Sequence, residues 1–178
     1  MKQATILATL LVIAFEGCAL ESRSHVDEGR SRYRAQVPVH FSLKDIEGRY
    51  VSNADYAGRV VLVDVWATWC RPCSESLPYY GELQRRYHDQ GLRVVGVSVD
   101  EKSDHVRDFV RPYQLPFRVL WDPEGTLAES AGLTSMPSML LLGKNGEVLY
   151  RHDGFVPKDR DAIEAAVKSA LATRDRAG

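Results

Sequence analysis

Two apolar runs near the middle of the chain show no alternation with polar residues, which predicts strands buried on both faces. The first is Val60–Trp66, whose one polar member is Asp64, and the second is residues 92–99, which are rich in valine. Between them, residues 71–89 are predicted to form a helix, with Pro72 in its first turn, where the missing N–H costs little. A strand, a helix and a second strand in this order predict a βαβ unit.

Segments on both sides of this unit extend the alternation of strands and helices. Ahead of it, residues 39–43 and 48–51 predict a short β-hairpin. Behind it, residues 103–113, 117–121 and 124–131 predict a helix, a strand and a short helix. The last two form a βα insertion ahead of the C-terminal elements.

The C-terminal part of the chain predicts a second hairpin and a final helix. Residues 138–142 and 147–151 flank Asn145-Gly146, a dipeptide that accepts the positive φ angles of a tight turn. Residues 159–172 place their apolar side chains on one helical face. The whole pattern predicts an α/β fold, with a mixed central sheet flanked by helices, an N-terminal hairpin and a βα insertion.

The N-terminus has the pattern of a targeting segment, assigned to residues 1–19. Lys2 precedes residues 4–15, which carry no charge, and small residues surround Cys18. The apolar stretch is shorter than the roughly 20 residues that span a bilayer. Cys18 is open to three interpretations: the lipidated first residue of a lipoprotein, a residue lost at a signal-peptidase site, or an incidental cysteine in an uncleaved anchor.

The targeting segment is followed by a polar tether, residues 20–36, and by a folded domain, residues 37–173, with a short tail at 174–178. We therefore expect an exported protein on the outer side of a membrane, held there by its N-terminal segment or by a lipid. The formal net charge is -1, so the composition gives no sign of a nucleic-acid partner.

Chemistry is concentrated in the Cys70–Cys73 pair, which directly follows the first buried strand. A zinc site is disfavoured because it needs about four ligands, and the five histidines show no ligand spacing. Covalent haem attachment requires a histidine after the second cysteine, where Ser74 stands. A structural disulfide remains open, although so short a loop stabilises little. Redox use is favoured, because a helix N-terminus at Cys70 stabilises a thiolate and Cys73 is close enough to attack a mixed disulfide there.

Four segments together resemble one known family. Residues 63–73 contain Trp-Ala-Thr-Trp-Cys-Arg-Pro-Cys, and residues 41–48, 96–100 and 132–138 follow the same family pattern in the same order. The chain from about residue 37 to 172 thereby resembles the thioredoxin superfamily, in particular the exported TlpA/ResA-like disulfide reductases. The resemblance implies a thioredoxin-like fold and exchange of thiols with disulfides.

The resemblance also implies roles for individual residues. Cys70 would be the attacking thiolate and Cys73 the buried resolving cysteine. Pro137 matches the family's cis-proline, and Met136 before it would offer backbone hydrogen bonds to an extended substrate beside Trp69.

Asp64 matches the buried acid of thioredoxin, and burial itself raises the pKa of a carboxyl group. An acid that titrates near neutrality can exchange a proton with Cys73, although a hydrogen-bonded partner without further function is the alternative. Many relatives carry glutamate three residues after the second cysteine, where this chain has Ser76. The neighbouring Glu75 does not inherit that role.

The sequence therefore predicts a thiol–disulfide oxidoreductase, favoured as a reductase over an oxidant. Its expected partners are exported proteins that carry cysteine pairs and a membrane thiol electron donor, with no metal and no cofactor. A thiol-dependent peroxidase and a lipid-anchored binding module without redox turnover are the alternatives.

Overall fold

The computed structural model describes residues 38–173, in which seven strands form one mixed sheet with four α-helices around it. The strands are β1 (Ser42–Asp45), β2 (Tyr50–Ser52), β3 (Val60–Trp66), β4 (Leu92–Ser98), β5 (Arg118–Trp121), β6 (Ser138–Leu142) and β7 (Val148–Asp153). The helices are α1 (Cys73–Tyr87), α2 (Ser103–Val110), α3 (Thr126–Ser130) and α4 (Arg160–Ala172). The strand order is β2-β1-β5-β4-β3-β6-β7.

β3 lies inside the sheet, parallel to β4 and antiparallel to β6, and each of its seven residues is buried. Val60 and Leu62 face a core that includes Ile163 of α4, whereas Val61 and Val63 face the core on the other side of the sheet. Helices and loops cover both faces, which explains why this strand shows no polar alternation. The predicted α/β architecture with a mixed sheet is confirmed.

All four predicted helices are shorter than their patterns indicated, and α3 and α4 lose residues 124, 125 and 131 and residue 159 respectively. α1 begins at Cys73 rather than at residue 71, and it ends at Tyr87 before a 3₁₀ turn and Gly91, which has a φ of 103°. α2 ends at Val110 and continues as a 3₁₀ turn, because Pro112 has no N–H to donate to a further helical turn.

The first strand also differs from its prediction, since β1 spans Ser42–Asp45 rather than residues 39–43. The Asn53 side chain holds the preceding backbone: Nδ2 donates to the Val39 carbonyl at 2.7 Å, and Oδ1 accepts from the Phe41 N–H at 2.6 Å. These bonds occupy backbone groups that a strand would have used in its ladder.

The parallel arrangement of β3 and β4 brings their carboxyl ends to the same edge of the sheet. Trp66 ends β3 and Ser98 pairs with it at the end of β4. The loops that follow these two strands therefore lie side by side, and the cysteine pair is in the first of them.

Candidate active site

The two cysteines lie where β3 leads into α1, and their sulfur atoms are bonded to each other. The S–S distance between Cys70 and Cys73 is 2.01 Å, and their Cα atoms are 5.4 Å apart. Cys73 begins α1 and is wholly buried, whereas Cys70 precedes the helix and is 6% exposed. Of the two cysteines, Cys70 is the more accessible.

The first turn of α1 directs backbone N–H groups toward the cysteine loop. The Cys73 N–H donates to the Cys70 carbonyl at 3.1 Å, and the Ser76 N–H donates to the Pro72 carbonyl at 3.1 Å. Because α1 has 15 residues, the positive end of a full helix dipole lies at this point. Its field stabilises a thiolate at Cys70 once the disulfide is reduced.

A buried acid fixes the loop ahead of Cys70. Asp100 follows β4 and accepts hydrogen bonds from the Thr68 N–H at 2.9 Å, the Thr68 hydroxyl at 2.6 Å and the Ser98 hydroxyl at 2.7 Å. The Trp121 indole N–H donates to the Asp100 carbonyl at 2.7 Å. Sequence reasoning did not identify Asp100 as part of the site. The available signal was an acid directly after a buried parallel strand, at the edge that carries the cysteines.

The three residues expected to contact substrate lie around the pair. Trp69 is 68% exposed, so its indole ring is open to solvent. Met136 is partly buried against the cluster that contains Cys70 and Cys73, and the Met136–Pro137 peptide bond is cis.

The loop that carries Met136 is fastened to β7. The Ser138 hydroxyl lies 2.7 Å from both the Ser135 carbonyl and Asp153 Oδ1. Arg151 donates to Asp153 and, from its guanidinium, to the Gly132 carbonyl at 3.0 Å. These contacts hold the loop at a fixed position beside the cysteines.

Asp64 is in mid-β3 and wholly buried, with no hydrogen-bond partner among residues 38–173 for either carboxyl oxygen. Its cross-strand neighbours are Gly96 of β4 and Met139 of β6. Burial raises the pKa of Asp64 to about 8, and the nearby Ser76 hydroxyl acts in the opposite direction. The Asp64 carboxyl group therefore changes between its protonated and its ionised form near physiological pH.

Ser76, at the position where many relatives carry glutamate, is wholly buried and donates its hydroxyl to the Cys73 carbonyl at 3.2 Å. The neighbouring Glu75 is exposed.

Two absences apply to the part of the chain that the structure describes. Within residues 38–173, no group of three or more histidine, cysteine or acidic side chains could hold a metal ion. The same residues include no helix long and apolar enough to cross a membrane. Cys18, the targeting segment at 1–19 and the tether at 20–36 lie outside the described residues.

Known proteins match both the sequence and the fold. The family model described as Redoxin matches residues 34–167. The thiol-disulfide oxidoreductase ResA of Geobacillus thermodenitrificans (strain NG80-2) is 35% identical over 150 residues, which is 84% of this chain and 86% of that protein.

Two solved structures extend the likeness to three dimensions. A protein of Chlorobium tepidum assigned as a thiol:disulfide interchange protein DsbE has a TM-score of 0.74 and 34% identity, over 78% of this chain and 98% of its own. The pneumococcal exposed lipoprotein thioredoxin Etrx1 of Streptococcus pneumoniae strain TIGR4 has a TM-score of 0.64 and 28% identity, over 73% and 98% of the two chains.

Proposed function

This chain belongs to the Redoxin family and is a thiol–disulfide oxidoreductase, and on that premise we propose that Cys70 is its attacking sulfur and Cys73 its resolving sulfur. The observation that carries the proposal is the unequal burial of the bonded pair, since Cys73 is wholly buried and Cys70 keeps an exposure of 6%. The position of Cys70 ahead of α1 supports the same assignment, because the helix dipole favours a thiolate there.

In the proposed reaction, the Cys70 thiolate attacks one sulfur of a substrate disulfide and releases the other as a thiolate. The Cys73 thiol then loses its proton, and its sulfur attacks Cys70. The Cys70–Cys73 bond forms, the bond from Cys70 to the substrate breaks, and the electron pair leaves on the substrate sulfur. Two electrons pass to the substrate, whose sulfurs take up protons from solvent.

Asp64 is proposed as the base that receives the proton of Cys73. Its burial and the absence of a partner for either oxygen among residues 38–173 support this assignment, because both keep its titration near neutral pH. An acid with a pKa close to the working pH is an efficient general base.

The proposed substrate is an extended polypeptide segment that carries a cysteine pair. Trp69 offers an exposed aromatic surface next to Cys70, and Met136, which precedes cis-Pro137, packs against the cluster that contains the two cysteines. A peptide backbone that crosses this surface would be held by the Met136 backbone and by apolar contact with Trp69.

We place the protein on the outer side of a membrane and favour the reductase direction, with a membrane thiol donor returning electrons to the pair. The uncharged run at residues 4–15 and Cys18 support export and lipidation, and one solved relative is itself named an exposed lipoprotein. The resemblance to the TlpA/ResA-like reductases supports the direction.

Two measurements test the function. In the full chain carrying Cys18→Ser, Cys73→Ser should accumulate a mixed disulfide with a substrate that contains a disulfide, whereas the matched variant Cys70→Ser should form none. The opposite pattern would reverse the two roles.

Equilibration of the wild-type chain in glutathione or dithiothreitol buffers tests the direction. A Cys70–Cys73 potential near that of thioredoxin, about -270 mV, supports a reductase, and one near about -120 mV indicates an oxidant. The absence of any reversible couple would contradict the function itself.

A further inference from the structure

Ser76 connects the resolving cysteine to the buried acid. It lies in the first turn of α1, wholly buried, and its hydroxyl donates to the Cys73 carbonyl at 3.2 Å. The same hydroxyl is close enough to Asp64 to favour the ionised carboxylate. In this arrangement both oxygens of Asp64 are without a hydrogen-bond partner in the part of the chain that the structure describes.

A serine hydroxyl has one proton to donate, so it can serve the Cys73 carbonyl or the Asp64 carboxylate but not both at once. Hydrogen bonds to an ionised acceptor are roughly twice as strong as neutral ones. The ionised state of Asp64 therefore draws the hydroxyl away from the carbonyl. When Asp64 is protonated, its own O–H can donate to Ser76 Oγ, and the hydroxyl is free to bond the Cys73 carbonyl, as it does in the structure.

We propose that Ser76 is a positioning residue for the buried acid, whose hydroxyl alternates between the Cys73 carbonyl and the Asp64 carboxylate as Asp64 gains or loses its proton. The proposal rests on the exchange mechanism given above and concerns its resolving step. The charge-assisted bond holds the carboxylate in one orientation while the Cys73 thiol is still protonated.

The proton and electrons balance in this step. The Cys73 thiol gives its proton to Asp64, and the Cys73 sulfur forms the bond to Cys70. The bond from Cys70 to the substrate sulfur breaks, and the electron pair leaves with the substrate. The Ser76 hydroxyl returns to the Cys73 carbonyl, and Asp64 later releases its proton to solvent.

Few titratable groups face Asp64 among the described residues. α1 contributes Cys73 and the buried hydroxyl of Tyr80, whose pKa is raised mainly by its own burial and further by Asp64. β4 and β6 contribute Gly96 and Met139, which do not titrate. His152 of β7 pairs with Met139 and is therefore one strand further from Asp64. The pH profile of the resolving step should therefore report mainly on Asp64 and Cys73.

Ser74 provides a matched control within the same helical turn. Its hydroxyl donates to the Arg71 carbonyl at 2.8 Å, which is the same contact with the carbonyl three residues earlier. Ser74 is partly exposed, whereas Ser76 is wholly buried. Ser74→Ala thus removes the same backbone contact without changing the surroundings of Asp64.

The test uses the reduced full chain carrying Cys18→Ser, so that only Cys70 and Cys73 react, in detergent with the small disulfide 5,5′-dithiobis(2-nitrobenzoate). Attack by Cys70 releases the first coloured thiolate, and resolution by Cys73 releases the second. The rate of the second phase is measured from about pH 5.5 to 9.5 in wild type, Ser76→Ala and Ser74→Ala. The same rate is measured in Asp64→Asn and in the double variant Asp64→Asn with Ser76→Ala. Ser76→Thr, which retains the hydroxyl, tests rescue.

In the pH profile of the second-phase rate, one apparent pKa is assigned to Asp64. We expect Ser76→Ala to raise this pKa by about one unit, which corresponds to the loss of one hydrogen bond to a charged group. Ser74→Ala and Ser76→Thr should keep the wild-type profile, and Ser76→Ala should cause no shift when Asp64 is asparagine. An unchanged profile in Ser76→Ala, or an equal shift in the Asp64→Asn background, would overturn the proposal.

Ser76→Gly is measured in the same way, so that the test does not depend on the folding of one variant. If the wild-type chain releases no second thiolate, or if Asp64→Asn leaves the profile unchanged, the exchange mechanism itself is wrong. That outcome differs from one in which the wild type resolves normally and Ser76 has no influence.

Discussion

Two buried acids lie near the cysteine pair, and their surroundings are opposite. Asp64, inside β3, has no hydrogen-bond partner for either oxygen among residues 38–173, whereas Asp100, after β4, accepts three hydrogen bonds from Thr68 and Ser98. Both are nearly inaccessible, at 0% and 5% exposure. Burial of a charged group is costly unless hydrogen bonds compensate it. Asp100 therefore stabilises the loop before Cys70, and Asp64 destabilises the folded protein whenever it is ionised.

The same substitution at the two acids should change stability in opposite directions, and the larger change is expected at Asp64. The pKa of Asp64 is about 8 in the folded protein and about 3.9 in the unfolded chain, and Asp64→Asn removes this titrating group. A raised folded pKa gives stability that is complete below about pH 4 and is lost as the pH rises through about 8. Asp64→Asn should therefore raise the free energy of unfolding by about 3 to 4 kcal/mol at pH 7.

Urea unfolding of both proteins between pH 4 and 9 checks this prediction. The two stabilities should converge near pH 4 and diverge with rising pH. Equal stabilities at every pH would show that Asp64 is paired or hydrated in solution, which would remove the contrast with Asp100.

The second prediction concerns rate at the same residue. Asp64→Asn should slow the release of the second thiolate by Cys73 about 100-fold at neutral pH, since loss of a general base costs at least that factor in many enzymes. Attack by Cys70, the first phase, should change little. Asp45→Asn is the control, because Asp45 is also buried but pairs with Arg49 in the β1–β2 hairpin. A slow second phase in both variants would show a general loss of structure.

At Asp100 we expect a loss of stability. Asp100→Asn replaces one accepting oxygen by an NH₂ group, which leaves a donor of partly buried Thr68 or of buried Ser98 without an acceptor. Unsatisfied buried donors cost about 1 to 3 kcal/mol, so the free energy of unfolding should fall by about 2 kcal/mol. Urea unfolding at pH 7 measures the change. A gain of stability here, as at Asp64, would contradict the assignment of Asp100 to the loop.

The sequence predicted one of these acids and missed the other for a physical reason. Asp64 interrupts an apolar run, so its burial could be inferred from neighbours in the chain. The bonds of Asp100 to Thr68 join residues separated by 32 positions, and no local pattern indicates them. The βαβ order and the cysteine pair could also be predicted, because each depends on adjacent residues.

Other features needed contacts that local patterns do not contain. Met136 and Pro137 were assigned only from the family resemblance. Their loop comes near the cysteines because β6, which follows it, pairs with β3, and no local pattern indicates that pairing. The predicted start of β1 was wrong because the Asn53 side chain binds the backbone of Phe41 and Val39, which are 12 and 14 residues away in the chain. Ser76 was noted only as a departure from the family, and its burial in the first turn of α1 with a bond to the Cys73 carbonyl became visible in the fold.

The smallest expected effect separates the backbone and side-chain parts of the Asp100 contact. Thr68→Val removes the hydroxyl that donates to Asp100 at 2.6 Å and keeps the N–H bond at 2.9 Å and the side-chain volume. One lost hydrogen bond corresponds to about 1 kcal/mol in the free energy of unfolding. Because Asp100 keeps two of its three donors, the loop should remain in place.

The two phases of thiolate release should then occur at wild-type rates in Thr68→Val, and urea unfolding should give the loss of about 1 kcal/mol. The dependence of stability on pH assigned to Asp64 should also be unchanged, because Thr68 makes its contact with the other acid. A shift in that dependence would mean that the two acids are coupled through the cysteine loop, and their contrast would then describe one network rather than two independent sites.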